Sequence, residues 1–263
     1  MTDDLVALDG AIAMVTGAGR GIGQEIALSL ARHGARAVAV NDFFADRAES
    51  VADEVRALGV DAVALIGDIS DHETALRLAD AAADAFGVVD ILVNNAGNAG
   101  PQHGIGDRAP FWETGPDEWG PWLDTNLYGV LNCTRAVLPA MVESGRGRVV
   151  SVISDAGRVG EPDLAVYAAA KAGVAGFTRA IAKAVGRYGV TANCVACGYI
   201  DTPATSSLKQ NPELLARALR PYQIRRPGRP EDVAAAVTFL ASPAASWITG
   251  QTYPVNGGYS MAQ

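Results

Sequence analysis

The fold is decided by the run Thr16-Gly17-Ala18-Gly19-Arg20-Gly21-Ile22-Gly23. It lies between an apolar, β-rich stretch at Ala11–Thr16 and an amphipathic helical pattern at Ile22–His33. Glycines let the backbone turn tightly and approach a pyrophosphate, and the N-terminus of the following helix offers N–H groups and the positive end of its dipole. The run departs from strict G-x-G-x-x-G because Ile22 occupies the last glycine position. In this context it predicts the first strand, phosphate loop and first helix of a dinucleotide-binding fold.

A carboxylate follows this loop at the distance expected for such a site. Asp42 lies 19 residues after Gly23, at the end of the predicted second strand. It can accept hydrogen bonds from the adenosine ribose hydroxyls, and its charge would repel a 2′-phosphate. Arg20 is a guanidinium that could favour that phosphate, and Arg47 is less well placed. The pattern favours NAD, with NADP as the weaker alternative.

Short apolar runs alternate with longer helical patterns along the rest of the chain. The apolar runs are nearly continuous, which is typical of strands that are covered on both faces. The predicted strands are Ala11–Thr16, Ala37–Asn41, Ala62–Ile66, Ile91–Val93, Arg148–Ile153 and Thr191–Val195. The predicted helices include Ile22–His33, Arg47–Leu58, Glu73–Phe86, Glu118–Glu143 and Val166–Tyr188. We therefore predict an α/β fold in which residues 1–263 form a single doubly wound Rossmann-type domain, with a central parallel sheet of about seven strands flanked by helices.

Two stretches interrupt this alternation, at about 98–121 and 200–230. Asn98–Pro121 is rich in Gly and Pro, and Ile200–Pro230 holds five prolines and a short helical piece at Pro212–Arg220. Both follow the carboxyl ends of predicted strands, where open α/β sheets bind ligands. We expect them to form the walls or lid of a substrate pocket; the alternative is that they are long surface loops.

Composition excludes several classes of function. The chain has 263 residues, 49% hydrophobic and 19% charged, with a formal net charge of -8 that argues against binding nucleic acid. No apolar run approaches the roughly 20 residues of a membrane span, and the N-terminus is acidic where a secretory signal is basic, so we expect a cytoplasmic protein with no membrane partner. The three histidines are scattered and predict no metal site. Cys194 and Cys197 have C-x-x-C spacing, for which a redox motif is the minor alternative.

Further motifs, in one order, resemble the short-chain dehydrogenase/reductase family from Asp9 to about Met261. Besides the T-G-x-x-x-G-x-G loop, these are Asp68-Ile69, Asn94-Asn95-Ala96-Gly97, Asn126, Ser154 and Tyr167-x-x-x-Lys171, with Ser154 and Tyr167 separated by 13 positions. The resemblance implies an oxidoreductase that moves a hydride between NAD(H) and a secondary alcohol or ketone. It also implies a homotetramer, or a homodimer, through a C-terminal segment at Trp247–Met261.

The resemblance assigns catalysis to Asn126, Ser154, Tyr167 and Lys171. Tyr167 and Lys171 are four residues apart and share one helix face. A free tyrosine has a pKa of about 10, and a neighbouring ammonium and the positive nicotinamide ring both favour phenolate. Tyr167 is then expected to act as general base in alcohol oxidation and general acid in ketone reduction. Ser154 would hold the substrate oxygen, Lys171 would also bind the nicotinamide ribose, and Asn126 would support a water that relays protons.

The remaining expected contacts belong to the cofactor. They are Gly17, Gly19, Arg20, Gly21, Ile22, Gly23, Asp42, Asp68, Ile69, Asn95, Ala96, Gly97, Tyr167, Lys171, Cys197, Gly198, Ile200 and Thr202. Cys197 stands where relatives usually carry proline, which removes a fixed φ from this turn; we expect it to be a packing residue. Asn256-Gly257-Gly258 stands where relatives often have Asp-Gly-Gly, and we assign this difference no consequence.

The substrate is the least determined property. Trp112, Trp119, Tyr199 and Leu208 in the two long stretches suggest an apolar substrate body. The stretch from Ile153 to Gly160 is similar to that of 3-oxoacyl carrier-protein reductases and cyclic hydroxyacyl-CoA dehydrogenases, which suggests an acyl thioester. The arginines that could receive a CoA phosphate are Arg217, Arg220, Arg225, Arg226 and Arg229. The alternatives are an NADP-dependent reductase of a steroid, sugar or cyclic alcohol, an epimerase or dehydratase, and a non-catalytic dinucleotide sensor.

Overall fold

The computed structural model describes residues 5–97, 110–203, 205 and 211–261. In this part of the chain, seven parallel strands form one sheet in the order β3-β2-β1-β4-β5-β6-β7. The strands are β1 (Ile12–Val15), β2 (Ala37–Asp42), β3 (Asp61–Ile66), β4 (Ile91–Asn94), β5 (Gly147–Ser154), β6 (Val190–Cys197) and β7 (Thr252–Val255). The predicted Rossmann-type α/β class with a parallel sheet of about seven strands is confirmed.

Helices cover both faces of this sheet. They are α1 (Gly21–Arg32), α2 (Ala45–Ala57), α3 (His72–Phe86), α4 (Pro116–Leu123), α5 (Gly129–Ser144), α6 (Ala156–Val159), α7 (Ala165–Val185), α8 (Pro212–Leu219) and α9 (Pro230–Ala241). Successive strand residues point to opposite faces. Val15 accordingly joins a core with α1, α2 and α9, whereas Met14 joins a second core with α3, α5 and α7. Burial on both faces explains why the strands read as continuous apolar runs.

The structure corrects three parts of the secondary-structure prediction. The predicted helix Glu118–Glu143 is interrupted by a π-helical turn at Asp124–Tyr128, between α4 and α5. The predicted loop 98–121 is helical in its last part, because α4 begins at Pro116; residues 98–109 lie outside the described residues. α9 was absent from the predicted helices, although Pro230 at its first position and two acidic residues in its first turn are helix-start signals.

The parallel strands bring their carboxyl ends to one edge of the sheet. Thr16, Asp42, Asn94, Ser154 and Cys197 follow or end β1, β2, β4, β5 and β6 there. This is the edge at which open α/β sheets bind ligands. Among the helices of the described segments, none is long and apolar enough to span a bilayer.

Candidate active site

The glycine-rich loop is packed so closely that side chains are excluded at Gly17 and Gly23. A Cβ on Gly17, whose φ is +59°, would lie 2.7 Å from the Ala96 Cα atom, and one on Gly23 would lie 2.4 Å from the Asn95 side-chain nitrogen. Gly21 also has a positive φ, of +61°. The side chain of Arg20 does not cap the first turn of α1. This tight turn at an uncapped helix N-terminus fits a pyrophosphate.

Thr16 and Asn95 tie this loop to the segment that follows β4. The buried Thr16 hydroxyl accepts hydrogen bonds from the backbone N–H groups of Asn95 and Ala96, both at 3.1 Å. The Asn95 amide donates to the carbonyls of Thr16 and Gly17, both at 3.0 Å. The sequence analysis gave Thr16 no role, although its place directly before the first glycine was the available signal.

Asp42 is buried beside the loop, as its position after β2 predicts. Its carboxylate accepts hydrogen bonds from the N–H of Gly19 at 2.9 Å and of Phe44 at 3.0 Å. A Cβ on Gly19 would touch both Asp42 and the Cβ of Arg47, so Arg47 also lies next to the loop. The Arg47 guanidinium stacks 4.0 Å above the Phe44 ring, while Arg20 is exposed. A negative charge is therefore held against the loop by two backbone donors.

Asp68 and Ile69 form a turn attached to α5. The Asp68 carboxylate accepts from the N–H and hydroxyl of Ser70, at 2.9 and 2.8 Å. Ile69 is buried, and a Cβ on Gly129 would lie only 2.7 Å from the Ile69 side chain. Asn132 donates to the carbonyls of Ile69 and Ser70. The turn is fixed in place, which leaves Asp68 at the sheet edge as a candidate adenine contact.

A cavity of about 320 Å³ opens at the carboxyl ends of β4, β5 and β6. It brings together Ser154, Tyr167 and Lys171, three of the four predicted catalytic residues. Most of its remaining wall is apolar. The other lining residues are Ile22, Asn95, Gly97, Trp122, Val152, Ile153, Leu164, Cys197, Gly198, Tyr199, Ile200, Thr202 and Thr205. Leu208, predicted to lie near the substrate, falls outside the described residues.

Lys171 is a buried cation below Tyr167. The residue is 3% exposed, and its Nζ donates to the Val152 carbonyl at 3.1 Å. The same nitrogen lies 5.7 Å from the centre of the Tyr167 ring. Burial lowers the pKa of Lys171 from its usual 10.5 to about 8, opposed by the nearby Cys197 and Cys194 thiols. The ammonium is therefore present at neutral pH and is close to losing its proton.

Asn126 reaches the same place from the π-helical turn. It is completely buried, and its side-chain nitrogen donates to the Trp122 carbonyl at 2.9 Å. A Cβ on Gly97 would lie 2.9 Å from the Asn126 side-chain oxygen and 3.2 Å from Lys171 Nζ. The structure thus brings Gly97, Asn126 and Lys171 into contact distance, and the absence of a side chain at Gly97 permits this approach.

Ser154 and Tyr167 face the cavity in settings suited to their chemistry. The Ser154 hydroxyl oxygen accepts a hydrogen bond from the N–H of Ala156 at 3.2 Å, so its own proton can be donated elsewhere. The partly buried Tyr167 ring meets the Trp122 ring edge to face, with 5.8 Å between centroids. The sequence analysis missed Trp122, which lies four residues before Asn126 and therefore on the same helical side.

The turn after β6 reaches from the cavity to the glycine-rich loop. A Cβ on Gly21 would lie 3.5 Å from the side chain of Thr202. The Thr205 hydroxyl accepts from the N–H of Thr202 at 3.0 Å and donates to the carbonyl of Ile200 at 2.7 Å. Ile200 is buried and pairs with Gly228 as an isolated bridge. Thr205, which the sequence analysis did not single out, therefore fixes the shape of this turn.

The cysteines have no redox or metal-binding geometry. Cys194 and Cys197 are both reduced and buried, and they join hydrophobic clusters on opposite faces of the sheet. Burial raises the pKa of Cys197 to about 12, so its thiol is unreactive near neutral pH. The described residues include no cluster of His, Cys, Asp and Glu that could hold a metal. These findings favour the packing role over the redox motif.

Comparison with known proteins decides the family. The family model described as enoyl-(acyl carrier protein) reductase matches residues 17–260. The 3-oxoacyl-[acyl-carrier-protein] reductase of Synechocystis sp. is 39% identical over 98% of this chain and 100% of its own length. The chain belongs to the short-chain dehydrogenase/reductase family. As a member, it is an oxidoreductase that uses a nicotinamide dinucleotide and acts on CH–OH and keto groups.

Solved structures of this family include both forms of the cofactor. A 7α-hydroxysteroid dehydrogenase complexed with NADH and 7-oxo glycochenodeoxycholic acid is 37% identical, with a TM-score of 0.88 over 98% of this chain and 97% of that chain. A gluconate 5-dehydrogenase from Burkholderia cenocepacia in complex with NADP and tartrate is 33% identical, with a TM-score of 0.89 over 99% of each chain. Close structural similarity therefore leaves the choice of dinucleotide and substrate to particular side chains.

Proposed function

We propose that this chain interconverts a secondary alcohol and a ketone with NAD(H), using Asn126, Ser154, Tyr167 and Lys171 as its catalytic residues. The observation that carries the proposal is that Ser154, Tyr167 and Lys171 line one cavity beside an uncapped glycine-rich helix N-terminus, with Asn126 next to Lys171 at Gly97. Thr202, another predicted cofactor contact, lines the cavity and lies against Gly21 at that N-terminus. A non-catalytic dinucleotide sensor does not require a buried lysine beneath a tyrosine.

The glycine-rich loop and the turn after β6 would hold the dinucleotide. When bound, the nicotinamide ring supplies the hydride acceptor for an alcohol and, in reduced form, the hydride donor for a ketone. The chain contributes binding, orientation and proton transfer. Thr202 would meet the carboxamide end, as the family resemblance implies, and its position in the cavity wall with Ser154 and Tyr167 supports this role.

Proton transfer falls to Tyr167. Its phenol oxygen would take the proton of an alcohol or give one to a ketone oxygen. The buried Lys171 ammonium favours the phenolate form, because little water is present to screen its charge. Ser154 would donate a hydrogen bond to the same substrate oxygen, which its accepted bond from Ala156 leaves it able to do. Asn126, in contact distance of Gly97 and next to Lys171, would hold the proton path that refills Lys171.

Asp42 supports NAD rather than NADP. Each of its carboxylate oxygens already accepts one backbone hydrogen bond and retains a lone pair for a ribose hydroxyl. A 2′-phosphate would bring two negative charges toward a buried carboxylate. Arg47 could offset part of this repulsion, but its guanidinium is stacked on Phe44. The balance of charge favours the unphosphorylated ribose.

A hydroxyacyl or oxoacyl thioester is the substrate class that we favour. Relatives named 3-oxoacyl-[acyl-carrier-protein] reductase act on such groups, and the apolar cavity wall suits an acyl chain. Arg217, Arg220, Arg225 and Arg229 are exposed in the segment that follows that turn in the sequence and could receive a phosphate, whereas Arg226 is paired with Asp232. A steroid or cyclic alcohol is the second candidate, because the similar 7α-hydroxysteroid dehydrogenase is complexed with a 7-oxo steroid acid.

The test is NADH formation across 3-hydroxyacyl-CoAs, cyclic alcohols, steroids and polyols, with NADP⁺ in parallel. We expect turnover with NAD⁺ that falls about 10³-fold in Tyr167→Phe, since general acid–base catalysis contributes about 10²–10⁴-fold. Tyr188→Phe, which changes an exposed tyrosine beyond the same helix, should retain full activity. Unchanged turnover in Tyr167→Phe would remove this residue from its role. A panel without turnover, in a protein that still binds NADH, would favour the sensor alternative.

A further inference from the structure

The C-terminal segment returns to the residue that follows Ser154. We define Asn256–Ser260 as the tail. Asp155 is 3% exposed, and its carboxylate accepts hydrogen bonds from the Asn256 side-chain nitrogen and, at 3.1 Å, from the Ser260 hydroxyl. Arg158 forms an ion pair with the same carboxylate and donates to Ser260 at 2.9 Å. The buried carboxylate that follows Ser154 is thus bound by two residues of the tail.

Asp155 connects this network to the catalytic side chains. Its N–H donates to the Cys197 carbonyl at 2.9 Å, and its carbonyl accepts the first bonds of α6. Ala156, next in the chain, donates to the Ser154 hydroxyl oxygen. Gly157 of α6 rests directly on α7, since a Cβ there would lie 2.9 Å from the Lys171 Cβ. Anchoring Asp155 therefore anchors both Ser154 and the support of Lys171.

The tail also supports Tyr199 in the cavity wall, through Tyr222. The ring of Tyr259 lies 5.0 Å from that of Tyr222, and its hydroxyl bonds to Glu161 at 3.3 Å. Tyr222 in turn accepts a hydrogen bond from the N–H of Tyr199 at 2.8 Å, and Tyr199 lines the cavity. The carbonyl of Gly257 accepts from the backbone two residues after Tyr222. The tail thus links Asp155, next to Ser154, to Tyr199 in the turn after β6.

The chemistry at position 256 has to match that at position 155. A buried carboxylate is costly unless donors surround it. The Asn256 amide supplies such a donor, and its oxygen accepts from Gly258, which fixes its orientation. A carboxylate at 256 would offer no donor and would place a second negative charge against Asp155. The two side chains therefore work as a matched pair.

We propose that Asp155 is a positioning residue, through which the tail holds Ser154 and α6 in the catalytic arrangement, with Asn256 as its required partner. The proposal rests on the catalytic roles proposed above for Ser154 and Lys171. It predicts that a change confined to the tail, remote in sequence from every catalytic residue, lowers the chemical rate without weakening cofactor binding.

Asn256→Asp tests this directly. We expect kcat to fall at least 10-fold, while the Kd for NADH, followed by its fluorescence, stays within about 3-fold. The exchanged pair Asp155→Asn with Asn256→Asp restores one donor and one carboxylate, and should recover most of the lost rate. The matched control is Asp90→Asn, which removes another buried carboxylate, paired with Arg146 at the start of β4. This control should lower thermal stability but leave kcat within about 2-fold.

A second measurement needs no substrate. Amide hydrogen exchange in residues 155–159 should be at least 10-fold faster in Asn256→Asp and unchanged in Asp90→Asn. If Asn256→Asp fails to fold, Asn256→Ala removes the donor without adding charge and should show the same effects at smaller size. Unchanged exchange together with unchanged kcat would overturn the proposal, as would an exchanged pair no better than the single variant. A wild-type protein without turnover would count against the proposed function, and the exchange result would still decide the role of Asp155.

Discussion

The burial of Lys171 lowers the stability of the fold and also favours the proposed chemistry. Its ammonium is buried, with the Val152 carbonyl as a hydrogen-bond partner, and this position lowers its pKa to about 8. At about 1.4 kcal/mol for each pKa unit, the difference from the usual 10.5 corresponds to about 3 kcal/mol of destabilisation at neutral pH. The same burial lets the charge act strongly on Tyr167. The burial that destabilises the folded protein is thus the same burial that strengthens the effect of Lys171 on Tyr167.

Lys171→Met should therefore give a more stable but inactive protein. Allowing about 1 kcal/mol for the lost hydrogen bond, we expect the free energy of unfolding at pH 7 to rise by about 1–2 kcal/mol. The folded-state pKa lies below the unfolded-state pKa, so wild-type stability increases as pH rises from about 8 to 10.5, and the advantage of the variant shrinks over that range. Urea denaturation at several pH values measures both effects. A variant less stable than wild type at pH 7 would contradict this account.

Asp42 carries the prediction for cofactor choice. Asp42→Asn removes the negative charge that would face a 2′-phosphate while keeping nearly the same volume. We expect the ratio of kcat/KM for NAD⁺ to that for NADP⁺ to fall about 100-fold, equivalent to about 2.7 kcal/mol, within the several kcal/mol that like charges cost at an interface. Asp46→Asn, an exposed acid in the first turn of α2, is the control and should leave the ratio unchanged. A wild-type enzyme that prefers NADP⁺ would show the interpretation of Asp42 to be wrong.

At the level of elements, α6 is short but decisive. It spans four residues between Ser154 and Tyr167, too few to show a helical period, so the sequence patterns did not predict it. Gly157 lets it approach α7 at the turn that carries Lys171. The π-helical turn at Asp124–Tyr128 escaped prediction for a related reason. A π-helical turn adds one residue to the helix, which barely alters the spacing of the apolar residues in the sequence, although it brings Asn126 to the site.

Gly157→Ala tests the contact between α6 and α7. A Cβ there would lie 2.8 Å from the backbone nitrogen of Ala172, and backbone atoms cannot move aside cheaply. We expect a loss of about 1–3 kcal/mol of stability, typical of overpacking, and at least a 10-fold loss of kcat. Gly186→Ala, at the end of α7, is the matched control, because open space surrounds it and its φ is -55°. Equal behaviour of the two variants in thermal unfolding and activity would argue against the contact.

At the level of the whole molecule, the sequence predicted what local patterns encode. The parallel sheet, the glycine-rich loop and Asp42 follow from period and spacing, and the family resemblance located Ser154 and Tyr167. The contact between Asp155 and Asn256 could not be predicted, since 101 residues separate them and no local pattern records their meeting. The departure from Asp-Gly-Gly at Asn256, to which the sequence analysis assigned no consequence, gains a physical reason only when the chain is folded.

We propose that the protein assembles as the homotetramer that the family resemblance implies, through exposed aromatic side chains beside β7. β7 forms one edge of the sheet, and beside it Trp247 is 98% exposed, with Tyr253 and Phe239 each 37% exposed. Tryptophan and tyrosine are enriched among the few interface residues whose truncation costs about 2 kcal/mol or more. Trp247→Glu should therefore reduce the mass measured by sedimentation to that of a dimer or monomer, without altering the stability of the isolated fold. Leu5→Glu, also exposed, should leave the mass unchanged. A monomeric wild type would overturn the proposed assembly, and a Trp247→Glu variant of full mass would place the interface elsewhere.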